Sequence, residues 1–517
     1  MYAYAPGLDH GELIARGHVY LSSMHGEPPR NAFCGRRQRL LMDPGWTGSA
    51  PEFGSGQARD NRRKFRAALL SRAGYVGAIS NRFERLSMVN TTQQVALDQQ
   101  DSLAVTESPQ DAIRSLGSLE HLFWLCDQNS LVHFAVTALI SGETSARDWR
   151  RALDRLQKRH PILSVCIGGE PGSVPSFRQA DARPIPLRIV EDEPEPRWEA
   201  EVGEELATPF NPSQAPLIRA VLIAGARDAA FMLVAHHSIA DGLSLAYAIR
   251  DTLDAVAGRS LRPLPWLPSQ DDMMNLPDSL ADSQEQDQAE ALTPVVYRRH
   301  DNARPTVKGL RLSPGLTSRV RDRARQEGTT VHGALCAALV LASRDVSAWR
   351  EIPLRILSPI NARPLLDAGE SCGVFLGATT SMFDRQAMDF WDIARDARIG
   401  VAANQTSENI AAQLSAFRQV VGNGAEVATA AEFGAKVFAS EVMLTNLGSL
   451  SFDRQFGHVT LKAMFGPAVL TGFEGHQTIS VATVNGALCL LHTSHTPPEG
   501  LLEKTQSVLS QACDERV

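Results

Sequence analysis

Two adjacent histidines and a nearby carboxylate stand together in Phe231-Met-Leu-Val-Ala-His236-His237-Ser-Ile-Ala-Asp241-Gly242-Leu-Ser-Leu-Ala-Tyr247. A neutral imidazole, with an ordinary pKa of about 6.5, is the side chain best matched to removing a proton at neutral pH. An alcohol or amine is a poor nucleophile while it keeps its proton. General-base activation of such an acceptor is therefore the chemistry these residues suit. Asp241 has two readings. It orients an imidazole, as in a triad, or it forms a buried ion pair elsewhere, because a buried carboxylate needs a partner.

The flanking residues indicate how the pair is held. The apolar run 229–235 is short and continuous, which suits a strand covered on both faces. Asp241-Gly242 reads as a tight turn, and 243–256 resumes with helical spacing. Neighbouring strand residues point to opposite faces, so one histidine faces a cleft while the other packs behind it. The same divergence makes them poor co-ligands, and no metal site is expected. An isolated histidine is most often a core or loop residue. The full seven-residue pattern with these flanks makes that reading much weaker here.

His-His-x-x-x-Asp-Gly resembles the active-site motif of the condensation-domain and CoA-dependent acyltransferase superfamily, whose members share a chloramphenicol-acetyltransferase-like fold. Supporting stretches run in the family's order: Leu116-Gly-Ser-Leu119-Glu120, Arg159-His160-Pro161, Asn361-Ala-Arg363, Gly373–Gly377 and Thr445-Asn446-Leu-Gly448. The resemblance covers about residues 114–510 and looks closest to the stand-alone polyketide-associated and alcohol acyltransferases. The Asp-Phe-Gly-Trp-Gly motif of the plant branch is absent.

The resemblance implies an α/β fold of two lobes, each a mixed sheet with flanking helices, with a channel between them. It implies His237 as general base and His236 and Gly242 as motif support, Gly242 leaving room for the donor's pantetheine arm. It implies Asp241 in a structural ion pair with Arg363. Thr445 and Asn446 are candidates for the oxyanion or the channel. The implied reaction moves an acyl group from acyl-CoA or an acyl-carrier protein to a hydroxyl, or less readily an amine, of a secondary-metabolite or lipid acceptor. No cofactor beyond the thioester co-substrate is expected. Two rivals stand beside it: a nonribosomal-type condensation enzyme with a carrier-protein donor, and a non-catalytic scaffold of the same fold.

The chain has 517 residues, 43% hydrophobic and 21% charged, enough for a sizeable core in one two-lobed enzyme or several domains. A net charge of −7 gives no overall basic field for nucleic acid. No long apolar run suggests a membrane span, and no secretory signal is evident, so the expected location is cytoplasmic. Seven widely spaced cysteines without C-x-x-C argue against a disulfide framework or zinc site.

The expected organisation is an atypical or disordered extension at 1–110, a first lobe at 111–265, an acidic connector at 266–305 and a second lobe at 306–517. Residues 1–87 carry twelve arginines and one lysine against seven acids, with a short helix expected near 62–71. They read as a basic arm, or as upstream sequence with Met88 as the working start. His160 reads as a helix-end residue before Pro161, which forces an extended exit. The acidic run 191–205 reads as a solvated loop and exposed helix face. Strands are expected at 134–140, 310–312, 354–358, 442–448 and 459–464. Asn485-Gly486 joins two strands in a type I′ hairpin.

Overall fold

The structure is a computed structural model of the chain. It describes residues 112–514 apart from 180–182, 192–196, 226, 277–294, 299–300, 347–348, 350–351 and 385–388. The N-terminal extension, its helix near 62–71 and the alternative start at Met88 lie outside the described residues.

The first lobe runs β1 (Ala112–Ser115), α1 (Ser118–Asn129), β2 (Phe134–Ser141), α2 (Ala146–Arg159), β3 (Val165–Gly168), β4 (Ser176–Gln179), β5 (Leu187–Glu191), α3 (Trp198–Ala207), β6 (Ile218–Ala224), β7 (Asp228–Ala235) and α4 (Gly242–Val256). After the short α5 (Gln270–Met273) come β8 (Thr306–Arg311), α6 (Pro314–Gln326), α7 (Val331–Ala342), β9 (Leu354–Asn361), α8 (Arg363–Leu366) and β10 (Leu376–Phe383). The chain closes with α9 (Phe390–Asn404), α10 (Ser407–Val421), α11 (Val427–Val437), β11 (Val442–Ser449), β12 (Gln455–Phe456), β13 (Val459–Val469), β14 (Gln477–Val484), β15 (Ala487–Ser494) and α12 (Leu501–Asp514).

Two six-stranded mixed sheets form the lobes, ordered β12-β13-β2-β7-β6-β5 and β10-β9-β11-β14-β15-β8, beside a small β1-β4-β3 sheet. Sheet membership follows space rather than chain order. β12 and β13 lie late in the chain yet complete the first sheet, with β13 antiparallel to β2. The chain thus crosses back between lobes after β11, and the lobes share a covalent seam as well as packing.

β7 shows why its sequence is apolar throughout. Phe231, Leu233 and Ala235 enter one core, and Ala230, Met232 and Val234 enter another that also takes Cys489 and Leu491 from the second sheet. Strand alternation sends neighbours to opposite faces, and here both faces are buried. On the first face Phe231 stacks on Trp149 of α2, with centroids 4.4 Å apart. Trp149, Ala152, Leu153 and Leu156 are the buried stripe of α2 that the spacing predicts. Ser145 caps that helix, accepting from the Asp148 amide. Asn485 and Gly486 have φ of 50° and 73°, as the hairpin's type I′ turn requires.

Several boundaries differ from expectation. The turn after β7 falls at 237–239, and Asp241 instead caps α4. His160 is extended before Pro161, but a 3₁₀ turn, Pro161–Ser164, follows it. The strand expected at 310–312 is β8, which starts earlier because its pairing to β15 begins at Thr306↔Ser494. β9 continues past Ser358 through Pro359 by pairing with β10. β13 runs on to Val469 because β2 stays beside it. Glu205 is not solvated. It lies buried on α3 and accepts from Arg219 and Arg188. In the connector, Trp266, Met273 and Met274 pack against a core that residues of both lobes supply. Asp271 there accepts from the Ser118 amide and hydroxyl at 2.8 and 2.7 Å.

His160 braces the lobes rather than doing chemistry. Its Nε2 meets Asp251 of α4 at 2.9 Å. Asp251 also takes Arg159 and Arg250, and Arg250 reaches Glu370 beyond β9. Burial opposes the charged imidazolium, but Cys372 and Asp251 outweigh it and raise the pKa to about 9. The six cysteines among the described residues are free thiols, and five are buried. No described helix is long and apolar enough to cross a membrane.

Burial lowers the pKa of His121, His237, His332 and His492 to about 4 and of His476 to about 3. The unfolded chain binds protons on these rings first, so the fold loses stability as pH falls from about 6.5 toward about 4. His160 has the opposite sign: its contribution is full below about 6.5 and is lost as pH rises through about 9. Urea midpoints measured from pH 8 to pH 4 should fall steadily below about pH 6.5. A flat profile across that window would contradict the burial of these rings.

Candidate active site

The site begins where β7 ends. His237 is fully covered by protein on its Nδ1 side, and that nitrogen makes no hydrogen bond among the described residues. Its ring stacks on Phe123 of α1, with centroids 4.1 Å apart and planes 26° apart, and lies 4.7 Å from Phe134 of β2. Burial lowers its pKa to about 4, against the pull of its own backbone carbonyl and of Asp241. The ring is therefore neutral at physiological pH. Neither phenylalanine was legible as a partner, since each reads in sequence as one more apolar residue.

His236 faces the other way, as strand alternation requires. Its Nδ1 accepts from the Ser238 amide at 3.2 Å, so its proton sits on Nε2, 3.5 Å from Asp127 Oδ2. Asp127 also accepts from the Val132 amide at 2.9 Å. Burial pushes the Asp127 carboxyl up, but His236 and His133 outweigh that and hold it well below the usual range. Asp127 anchors the back of the motif, and only the folded chain brings it there from the end of α1.

Asp241 spends its oxygens away from His237. Oδ1 accepts from the Ser244 amide at 2.8 Å, closing the cap of α4, and from Arg363 Nη2 at 2.8 Å. Oδ2 accepts from the Phe375 amide at 3.1 Å. The Asp241 amide donates to the Gly373 carbonyl at 3.0 Å. Arg363 Nη1 donates to the Ser371 carbonyl at 3.0 Å, and the guanidinium lies 4.8 Å from the centre of the Phe375 ring. Both side chains are almost fully buried. One carboxylate thus ties the α4 N-terminus in the first lobe to the 371–375 segment in the second.

The second sheet opens to make the rest of the site. β9 and β11 pair only at Ile356↔Val442 and Leu357↔Met443. The ladder stops two residues before Pro359, whose nitrogen has no hydrogen to extend it. Beyond that point the strands part. Pro359, Ile360 and Asn361 on one strand and Thr445, Asn446 and Leu447 on the other line a single cavity with His237, Asp241 and Gly242. The cavity volume is about 150 Å³, and its wall is mainly apolar. Asn446 Oδ1 accepts from the Gly448 amide at 2.8 Å, which fixes the amide group and leaves Nδ2 as a donor. Gly448 has a φ of +76°, the conformation glycine allows at this turn. A Cβ on Gly242 would lie 2.9 Å from Leu447 Cδ2 and 3.1 Å from Pro467 Cγ, so glycine lets those wall residues approach.

All residues singled out in the sequence, His236, His237, Asp241, Gly242, Arg363, Thr445 and Asn446, thus meet at one site or directly behind it. Removing the Arg363 cation leaves the buried Asp241 carboxylate with two amides and the Ser244 hydroxyl but no positive charge. Arg363→Met should cost about 3–5 kcal/mol by urea unfolding. A soluble Arg363→Met protein with an unchanged midpoint would refute this role for the pair.

The "Condensation domain" family model matches residues 124–381, and the "Phthiocerol/phthiodiolone dimycocerosyl transferase C-terminus" model matches residues 301–488. Tyrocidine synthase 3 of Brevibacillus parabrevis is 28% identical over 254 residues, 46% of this chain and 4% of that protein. Bacitracin synthase 2 of Bacillus licheniformis is 24% identical over 278 residues, 49% of this chain and 10% of that protein. The chain therefore spans about a tenth or less of these relatives' length. Among solved structures, polyketide synthase associated protein 5 from Mycobacterium tuberculosis matches with a TM-score of 0.57 and 18% identity, covering 79% of this chain and 100% of that one. The first condensation domain of the CDA synthetase matches with a TM-score of 0.56 and 14% identity, covering 78% and 96%. With the motif geometry, the two family matches that overlap in the middle of the chain identify the family: this protein belongs to the condensation-domain and CoA-dependent acyltransferase superfamily.

Proposed function

We propose that this protein transfers an acyl group from a thioester to the hydroxyl of a small acceptor, with His237 as general base. The observation that carries the reading is a neutral imidazole on the wall of an apolar cavity that both lobes line. We assign the ring proton to the buried Nδ1, which leaves the Nε2 lone pair for the acceptor. As the hydroxyl oxygen forms its bond to the thioester carbon, its proton passes to Nε2. When the carbon–sulfur bond breaks, the same proton passes to the departing thiolate. No enzyme nucleophile is needed for this direct transfer.

The tetrahedral intermediate carries a negative oxygen, which fixed donors in a water-poor site stabilise best. Asn446 Nδ2 and the Thr445 hydroxyl are our candidates. Asp241 and Arg363 act as positioning residues, because their bonds hold the turn that carries His237. An imidazole with a pKa of about 4 is a weak base, yet it is wholly unprotonated at neutral pH. A hydroxyl acceptor suits such a site better than an amine, which must shed an ammonium proton before entering an apolar chamber.

The donor is free acyl-CoA or a carrier-protein thioester. The polyketide-associated relatives and the nonribosomal relatives support one each. Comparing thiol release from acyl-CoA with release from acylated carrier protein separates them. A folded protein inert with both would favour a non-catalytic scaffold.

His237→Ala should lower acceptor-dependent thiol release by roughly 100-fold or more, at unchanged urea midpoint within about 1 kcal/mol. Equal rates in wild type and His237→Ala would end the general-base assignment. Because the ring must be neutral to act, kcat/KM should hold as pH falls below 6.5 and drop only near about pH 4. An acid limb centred at the ordinary histidine value would show that the ring is better solvated in the working enzyme.

A further inference from the structure

One wall of the cavity comes from a segment that no motif marks. Residues 295–298 lie near the end of the connector and run as a strap between α11 and the loop after β13. The Val295 amide donates to the Ala435 carbonyl at 3.3 Å, the Glu474 amide to the Val296 carbonyl at 2.8 Å, and the Arg298 amide to the Gly472 carbonyl at 2.7 Å. Val296 points outward and is 71% exposed. Tyr297 points the other way, lines the cavity and is half-buried.

The Tyr297 ring is held at both ends. Its centroid lies 4.8 Å from that of Phe473, with the rings tilted by 57°, and the two residues form a bridge pair. Its hydroxyl lies on the Cys126 side of the chamber, where both groups face Gly434. Gly434 of α11 makes room for that hydroxyl: a Cβ there would lie 2.9 Å from the Tyr297 oxygen. Phe123, which stacks on His237, and Cys126, which lines the cavity with the tyrosine, sit three residues apart on α1. That separation is about 4.5 Å along the helix axis. The tyrosine thus stands about one helical turn beyond the base, between the cavity and solvent.

We propose that Tyr297 is the stop at one end of the chamber and sets the length of unbranched alkyl chain that can extend from the reacting atoms past Phe123 toward Cys126. For the reaction itself this rests on the acyl-transfer reading, whereas the stop is a property of the cavity. Shortening the side chain opens the chamber to the outside between α1, α11 and the 470–473 loop, and a longer chain passes. Crowding the hydroxyl from behind drives the ring inward, and a shorter chain is the limit.

The test is a homologous series of straight-chain acyl-CoAs and of straight-chain alcohols, each with its partner substrate fixed, for wild type, Y297A, Y297F and G434A. Y297A should accept longer chains, with kcat/KM for each newly admitted methylene rising roughly 10-fold or more over wild type. G434A should lower the length limit. Y297F, which keeps the ring and loses the hydroxyl, should keep the wild-type limit. Thermal-shift measurements with the alcohols alone read binding without turnover. If wild type releases no thiol but Y297A extends the longest stabilising alcohol, acyl transfer fails and the stop stands. Identical length profiles for wild type and folded Y297A in both assays would overturn the stop. If Y297A does not fold, an unchanged profile in G434A would overturn it equally.

Discussion

The buried bond between Asp241 and Arg363 is the constraint on which the rest of the site depends. A carboxylate this deep is tolerable because a guanidinium, two backbone amides and the Ser244 hydroxyl share its charge. Asp241 is also the first residue of the α4 cap, where the helix's exposed amides favour a negative group. The second lobe supplies the other partners, through Arg363 and the Gly373 and Phe375 backbone. The turn carrying His237 is thereby fixed between the end of β7 and a cap that both lobes complete. A separation of the lobes would strand a buried charge, so the motif and the lobe interface stand or fall together.

The chamber depends on a sheet that fails to close. β9 and β11 begin as hydrogen-bonded parallel neighbours and part where Pro359 removes a donor. Thr445 and Asn446 line the gap together with the histidine. Its other walls are apolar, and the same apolar contact that shapes the chamber depresses the basicity of His237. The ring is stacked on Phe123, and its Nδ1 is buried. Proton affinity is lower than in solution, but a fixed donor facing such a chamber interacts more strongly with developing charge than it would in water.

Local patterns were legible where local physics decides. The stripe on α2, its serine cap and the Asn485-Gly486 hairpin follow from period, capping and turn chemistry. Gly328 stands just past α6 with a φ of +66°, as a helix stop should. Strand ends were less legible. β8, β9 and β13 are longer than their sequences suggest, because a strand ends where its neighbour ends. Glu205 reads as part of an acidic, solvated run, yet Arg219 and Arg188 come from strands β6 and β5 to neutralise it.

For the site, the residue types and their spacing indicated two histidines that diverge at a strand end leading into a helix start, and the resemblance implied which of them, His237, is the proposed base. Resemblance alone suggested Arg363, 122 positions away, and only the fold brings its guanidinium to Asp241. The tertiary structure alone decided what surrounds His237. Phe123, Asp127 and Tyr297 lie far from the motif in the chain and look like ordinary core or loop residues. Their importance comes from contact, and contact between distant segments leaves no local period, cap or turn to read. The crossing of β13 into the first sheet belongs to the same class: its residues specify a strand, and the choice of β2 as partner is made by the packing of the whole molecule.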